Sequence, residues 1–399
     1  MNNSLIDKIE SIDWEFLKDN TRYGTHDFHR YSSKFIPQIA RNLIEIFSKH
    51  SETVLDVFLG SGTTCVEAEL LGRKSIGVDL NPVAYLIAKV KTTPIKDKIL
   101  DSEVRNQLTV IKNKINALRE KESPNLLLYN TTNKQVKLNQ PIFPNIERWF
   151  QPQVLKELSI IKDSINGISA NEVKLFFVCA FSAILRTVSN AHSGYGNLMI
   201  NKQKRIVKDT FENFERQVLL MIEGMKSFNK QVKKITSRIY RSDSRHLSFI
   251  DTNSINLIVT HPPYISAVPY AEYQKLSLNW LKECFTDVFD NKSAEYLNPS
   301  ILDKEIIGGQ RNKTNVVDRF MDSMELVFKE MYRVLKRKSY CCVVIGHPTV
   351  RGKIIELSDE FVHMAKKIGF NHFYTINRGN HRTTMGKMKK EYILILKKP

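Results

Sequence analysis

The sequence predicts an α/β protein: an open, mostly parallel sheet interrupted by a mostly helical insertion. Three observations carry that reading. "TVLDVFLGSGTTCVEAELLGRKSIGVDLNPVAYLIAKVK" runs strand, glycine turn, helix, strand, helix, the pattern of a βαβα unit. From about 97 to 238, charged helical patterns replace that alternation. From 239 onward, strand and helix signals return and continue to the end of the chain.

The elements follow in order. Residues 1–50 read as helices with a short break. Apolar spacing near 3.6 runs from Ile36 to Phe47, and Pro37 suits a first turn. Strand 53–58, turn 59–62, helix 63–71, strand 75–79 and helix 82–90 come next. "DSEVRNQLTVIKNKINALREKE" and "FENFERQVLLMIEGMKSFNKQVKKI" then alternate with aromatic and polar loops such as "PIFPNIERWFQPQV". "SRIYRSDSRHL" gives a short strand and an acidic turn, and "INLIVTHPPY" another strand. "SMELVFKEMYRVLKRKSYCCVVIGHP" reads as helix then strand. "FNHFYTINR" and "EYILILKKP" read as two strands joined by a basic loop. Residues 1–96 and 239–399 are therefore two parts of one sheet-bearing domain, with 97–238 inserted between them.

Composition narrows the function. The chain has 399 residues, 42% of them hydrophobic, enough for a sizeable core. No apolar run approaches the roughly 20 residues that span a bilayer. The polar, acidic start "MNNSLIDKIESIDWEF" lacks the order of a signal peptide, so a soluble, cytoplasmic protein with no membrane partner is expected. The five cysteines are scattered and fit reduced, buried thiols; Cys341 and Cys342 fill a core strand. The ten histidines form no HExxH or comparable cluster, so no metal is expected. Sixty Lys and Arg against 42 Asp and Glu give a net charge of +18. That excess favours a polyanionic partner, nucleic acid above all, over a basic surface that binds nothing.

Gly60 and Gly62 sit between a strand and a helix, where glycine lets the backbone approach a ligand and the helix start offers free N–H groups. Asp79 ends the next strand, where a carboxylate can accept ribose hydroxyls. Cys65 holds the place of a third glycine, which weakens a dinucleotide reading. Asp56 inside the first strand suits a ligand carrying a positive charge better than a pyrophosphate. The plain alternative is an ordinary tight turn.

"DVFLGSGTT" followed by "GVDLNP" resembles the S-adenosylmethionine site of the amino-methylating DNA methyltransferases, the N4-cytosine and N6-adenine enzymes of restriction–modification systems. The match runs through Asp56, Phe58, Gly60, Ser61, Gly62, Thr63, Thr64, Asp79 and Asn81. It implies that the turn wraps the methionine part of the cofactor and that Asp79 binds the ribose. "SSKFIPQIARNLI" is similar to the family's cofactor-closing motif, with Lys34, Phe35 and Pro37 in place. "RSDSRHL" resembles the turn whose acid, Asp243, contacts the adenine; a simple turn cap is the alternative. The fold implied is a Rossmann-like S-adenosylmethionine-dependent methyltransferase sheet.

"THPPY" stands where this family carries [DNS]-P-P-[YFW] after a strand. His261, Pro262, Pro263 and Tyr264 are thus the implied catalytic residues, with His261 departing from the usual Asp, Asn or Ser. An exocyclic amine is a poor nucleophile because its lone pair is delocalised. Acceptors around its N–H groups draw the nitrogen toward sp³, and a proline pair holds carbonyls rigidly for that purpose. The resemblance makes the Pro262 carbonyl one acceptor, the His261 ring another, and Tyr264 a stacking platform for a flipped base. Tyr270 and Tyr273 line the pocket or pack a helix. "HPPYISAVPYAEYQKLSLNWL" is closer to the N4-cytosine branch, with N6-adenine as the alternative.

The order of motifs resembles the α arrangement, which makes 97–238 the target-recognition region. "SNAHSGYGN", "NKQKRIVK" and "EIIGGQRNKTN" (with Gly308, Gly309, Gln310 and Arg311) suit groove and phosphate contacts, or are solvated loops. Double-stranded DNA is the expected substrate, and a cognate restriction endonuclease a partner. An RNA methyltransferase and a catalytically silent DNA-binding subunit are the rival readings.

Overall fold

The computed structural model describes residues 2–32, 34, 36–121, 139–192, 198–201, 209–232, 237–265, 269–289, 294–309, 315–350, 352–379, 382–383, 386–387 and 391–399. Seven strands form the central sheet: β1 Thr53–Asp56, β2 Lys74–Asp79, β3 Ser237–Arg241, β4 Ile255–Thr260, β5 Leu335–Gly346, β6 Asn371–Arg378 and β7 Glu391–Lys397. Their spatial order is β3-β2-β1-β4-β5-β7-β6. The first five run parallel. β7 runs antiparallel to both its neighbours. This is an α/β, Rossmann-like sheet.

The labelled helices are α1 Asn2–Glu10, α2 Pro37–Phe47, α3 Thr63–Leu70, α4 Pro82–Lys91, α5 Arg105–Lys121, α6 Pro152–Asn166, α7 Asn171–Val188, α8 Thr210–Asn229, α9 Lys275–Cys284, α10 Val316–Val334 and α11 Leu357–Ile368. Among the described residues, none is long and apolar enough to cross a membrane.

Side chains alternate across a strand, so each strand feeds two layers. Val54, Leu257, Val259, Cys342 and Val344 pack with Ile39, Leu43 and Phe47 of α2. Leu55, Ile258, Cys341 and Val343 pack with Phe328 and Met331 of α10 and Phe361 of α11. The adjacent cysteines thus serve opposite faces of the sheet, both fully buried. Parallel strands covered on both faces read as continuous apolar runs, as "INLIV" does.

The described residues between 97 and 232 are mostly helical, and their helices share a core with the sheet's own. Leu86, Ile87 and Val90 of α4 pack in one cluster with Phe176, Phe177 and Phe181 of α7, Phe214 and Met221 of α8 and Trp280 of α9. β3 begins at Ser237, two residues before the expected boundary, pairing Ser75 with Ser237 on β2. β1 ends at Asp56 rather than at 58. The Asp56 side chain explains the stop: its Oδ1 accepts the Phe58 N–H at 3.0 Å and turns the backbone out of the ladder.

The chain runs outward from β1 to β2 and β3, then returns to lay β4 on the other side of β1. The order of strands reverses there. In open α/β sheets the crevice outside the carboxyl ends at such a reversal is where ligands bind. The glycine turn leaves the end of β1, and His-Pro-Pro-Tyr leaves the end of β4.

Candidate active site

The glycine turn is built by conformations that favour glycine. Gly60 has φ +50° and Gly62 φ +78°. A Cβ on Gly62 would lie 2.8 Å from the Cβ of Ala88, so the close approach of α3 to α4 needs a bare backbone there. Asp79 closes the turn. Its Oδ2 accepts the Gly60 N–H at 2.7 Å and its Oδ1 the Asn81 N–H at 2.9 Å. Each oxygen keeps a further lone pair for a ligand hydroxyl. Asn81 caps α4 by accepting the Val83 N–H at 3.0 Å.

The ends of β1 and β4 are tied side chain to side chain. The Thr260 hydroxyl donates to Asp56 Oδ1 at 2.7 Å. Burial pushes both the Asp56 and the Asp79 carboxyl up to about 6, against hydrogen bonds that pull them down. Asp79 keeps part of its surface open to the cleft; Asp56 is closed over.

The cleft is open to solvent and spans about 770 Å³, its solvent-facing part included. One wall is the glycine turn: Phe58, Leu59, Gly60, Ser61 and Thr63, with Asp79 behind it. The facing wall is His261, Pro262, Pro263 and Tyr270. Tyr31, Ser32 and Lys34 close one end, and Asp243, Ser244 and Glu305–Ile307 another. The Ser61 and Thr63 hydroxyls are buried with no hydrogen-bond partner among the described residues. Buried polar groups are normally satisfied, so two orphans in one turn mark a place built for a polar ligand.

The other expected residues are placed as follows. Pro37 lies in the first turn of α2. Lys34 donates to the His26 carbonyl at 3.1 Å, and burial draws its pKa down. Thr64 is fully buried and donates to the Val259 carbonyl at 3.3 Å, a β4 tie rather than a cleft wall. Asp243 closes its own turn by accepting the Arg245 N–H at 2.9 Å, pairs with the Arg245 guanidinium and still faces the cleft. Tyr264 is buried, 4% exposed, with its hydroxyl 2.7 Å from His261 Nε2. Burial raises its pKa well above the ordinary phenol value. Phe35 lies outside the described residues, as do residues 193–197 and 202–208 of the basic loops and Gln310 and Arg311.

A family model described as DNA methylase matches residues 7–90, from the N-terminal helix through α4. The chain is 26% identical to Type II methyltransferase M.MvaI of Kocuria varians, over 96% of this chain and 93% of that protein. It is 21% identical to Type II methyltransferase M.BsoBI of Geobacillus stearothermophilus, over 92% and 84%. These matches support the amino-methylating DNA methyltransferase family for this chain. Among solved structures, a SAM-dependent methyltransferase of Methanosarcina mazei overlays with a TM-score of 0.34 at 11% identity, covering 89% of this chain and 96% of that one.

Sequence reasoning missed four parts of this methyltransferase. Tyr31 stands against the turn, with its ring 3.2 Å from where a Gly60 Cβ would be. An aromatic just before "SSKF" was the only signal for it. Glu305–Ile307 line the methyltransferase cleft, although their loop reads as groove-facing in the sequence; Gly308, at φ +81°, lies behind Tyr264, where a Cβ would come 3.1 Å from the Tyr264 carbonyl. Lys91 is fully buried and donates to the Ser61 carbonyl at 2.6 Å. Glu67, also fully buried, binds Tyr23 at 2.6 Å, His26 at 2.6 Å and Arg41 at 2.9 Å. A lysine and a glutamate in apolar helices carry no sequence mark of burial.

Proposed function

We propose that the chain is a site-specific DNA methyltransferase that transfers a methyl group from S-adenosylmethionine to the N4 amine of a cytosine flipped out of the duplex, within a restriction–modification system. One observation carries the reading: the glycine turn after β1 and the His-Pro-Pro segment after β4 face each other across one cleft. Cofactor and target amine must meet in such a place.

The residues fit the cofactor. Asp79 would offer lone pairs to ribose hydroxyls, the Ser61 and Thr63 hydroxyls would offer partners to the methionine end, and Asp243, on the cleft lining, would accept from the adenine amine. When bound, S-adenosylmethionine supplies an electrophilic methyl on a sulfonium. Asp56, Asp79 and the electronegative lone pairs of the turn favour that positive charge.

The amine side is served by Pro262 and His261. A proline pair holds the Pro262 carbonyl in an extended path, where it accepts one amine N–H. His261 accepts the second through whichever ring nitrogen is unprotonated. Held this way by Pro262 and His261, the nitrogen lone pair would be aimed at the methyl group that the bound cofactor would supply, its sulfur leaving as a neutral thioether. The proton released from the amine passes to His261 and on to solvent. Flipping the base costs a few kcal/mol, and stacking on an aromatic of the cleft, worth about 1–3 kcal/mol, offsets much of it. Tyr270 and Tyr31 offer such faces. We assign target recognition to residues 97–238, whose helices pack directly behind α4 and α9.

Mass spectrometry of nucleosides tests this after incubation of the protein with labelled S-adenosylmethionine and unmethylated genomic DNA. Labelled N4-methylcytosine is expected. Labelled N6-methyladenine would keep the mechanism and overturn the base. Label in RNA but not in DNA would overturn the substrate.

A further inference from the structure

A second cavity, about 900 Å³, opens beside the methyl-transfer cleft. Two chain segments make it a neighbour. Tyr31 lines the cleft and Arg30 the cavity; Tyr270 lines the cleft and Tyr273 the cavity. Its far wall is α7 of the insertion, with Ser182 and Arg186. The cavity therefore lies where the catalytic sheet meets the insertion.

Its chemistry is cationic. Arg30 and Arg186 line it, and no Asp or Glu does among the described residues. The Arg186 guanidinium lies over the Tyr273 ring, 4.6 Å from its centroid. Stacking engages the face of a guanidinium, whereas its edge makes the hydrogen bonds that match phosphate oxygens. Burial, the largest cause, and the nearby Arg30 push the Arg186 pKa down, against Tyr273, and Arg186 Nη2 donates to the His192 carbonyl at 3.3 Å. Gln274 supplies the independent observation. It is 4% exposed, it lines the cavity, and its side-chain N–H₂ has no hydrogen-bond partner among the described residues. A buried donor without an acceptor costs about 1–3 kcal/mol, which a ligand oxygen would recover.

We propose that this cavity seats a backbone phosphate of the DNA strand whose base enters the cleft, held by Arg30, Arg186 and the Gln274 amide. The proposal rests on the DNA methyltransferase reading. It explains why cations gather at this point and why a buried amide lacks an acceptor. It also gives the enzyme a grip on the strand that is independent of base sequence.

The test is the salt dependence of duplex DNA binding by the full chain, wild type against R30Q, R186Q and the double variant. Neutralising one phosphate contact changes the slope of log affinity against log salt by about 0.9. The double variant should lose about 0.9 of slope, each single variant part of that, and cognate and unrelated DNA should weaken alike. K329Q, on the exposed side of α10 and outside both cavities and the insertion, is the control and should keep the wild-type slope. Unchanged cofactor affinity certifies the fold; if R186Q fails that check, exposed Arg30 decides alone. Wild-type slopes in R30Q and in the double variant would overturn the proposal. Loss of affinity for cognate DNA alone would also overturn it, since that would mark a base contact. If wild type itself neither binds DNA nor labels it, the functional reading fails, which is a separate result.

Discussion

His261 Nε2 and the Tyr264 hydroxyl lie 2.7 Å apart, and the two rings meet edge to face at 5.1 Å. Burial keeps the Tyr264 hydroxyl protonated. The contact therefore sets the histidine tautomer. When Nε2–H donates to the tyrosine oxygen, Nδ1 becomes the ring's acceptor; when the tyrosine donates, Nδ1 carries the proton and cannot accept. A reaction that needs an acceptor at the amine favours the first arrangement. Y264F removes the hydroxyl and keeps the ring. We expect single-turnover methyl transfer to slow by about 3–10-fold, less than the roughly 10²–10⁴-fold of a direct acid–base group because Tyr264 acts through His261, with a shift in the acid limb of its pH profile. An unchanged profile would reduce the contact to packing.

Asp79 should couple cofactor binding to pH. Burial, the largest cause, raises Asp79 and Asp56 to about 6, and a sulfonium ligand prefers the ionised carboxylates. Protons must then leave on binding, so affinity should rise from pH 5 to pH 7 and level off above. In D79N, calorimetry should show about tenfold weaker binding and a shallower rise, about 1.4 kcal/mol in affinity.

The same groups shape stability of the free protein. A carboxyl raised to about 6 keeps a proton that the unfolded chain releases, so its contribution falls as pH rises from 3.8 to 6. Burial lowers His26 and His29 to about 4. Their contribution rises as pH goes from 4 to 6.5, because there the unfolded chain binds the extra protons. The two trends oppose each other. D79N removes one carboxyl, so its Tm should fall more steeply than wild type between pH 6.5 and pH 4. Parallel curves in a thermal scan would contradict this balance.

Gly62 carries two constraints that substitutions can separate. G62A should lower stability by about 1–3 kcal/mol through left-handed strain and the contact with Ala88. A88G gives space but leaves φ unchanged, so the double variant should recover part of the loss in urea unfolding. Full recovery would mean that strain at φ +78° contributes nothing.

Glu67 joins the N-terminal segment to α3, the helix that follows the glycine turn. E67Q keeps its shape but replaces one oxygen that accepts hydrogen bonds with an N–H₂, facing the donors Tyr23, His26 and Arg41. We expect about 2–3 kcal/mol lower stability by urea unfolding, the range for hydrogen bonds to a charged group. A change within 0.5 kcal/mol would show that these donors find other partners.

The sheet and the two motifs were legible because their signals are local. Apolar runs of strand length, glycines at a strand–helix junction and a proline pair ending a core strand act through neighbours in the chain. Gly60, Gly62, Asp79 and Asn81 could be read for that reason, since the acid and the turn it closes lie within one βα unit. Their facing of Pro262 followed only from the strand order, in which β4 returns to lie beside β1.

What no local pattern encodes is which polar side chains the packing closes over. Lys91 and Glu67 sit in helices whose sequence is compatible with a solvated polar edge; the insertion laid against α4 and the N-terminal segment laid on α3 bury them. Tyr264 reads as a platform facing a base, yet the loop at Gly308 packs behind it and turns its hydroxyl to His261. The sequence alone determined the element types, the glycine turn and the proline pair that ends a core strand, because backbone preference and apolar period act over a few residues. Only the tertiary structure decided which of them meet, which are desolvated and where a second cationic cavity opens, because burial and proximity are set by segments far apart in the chain.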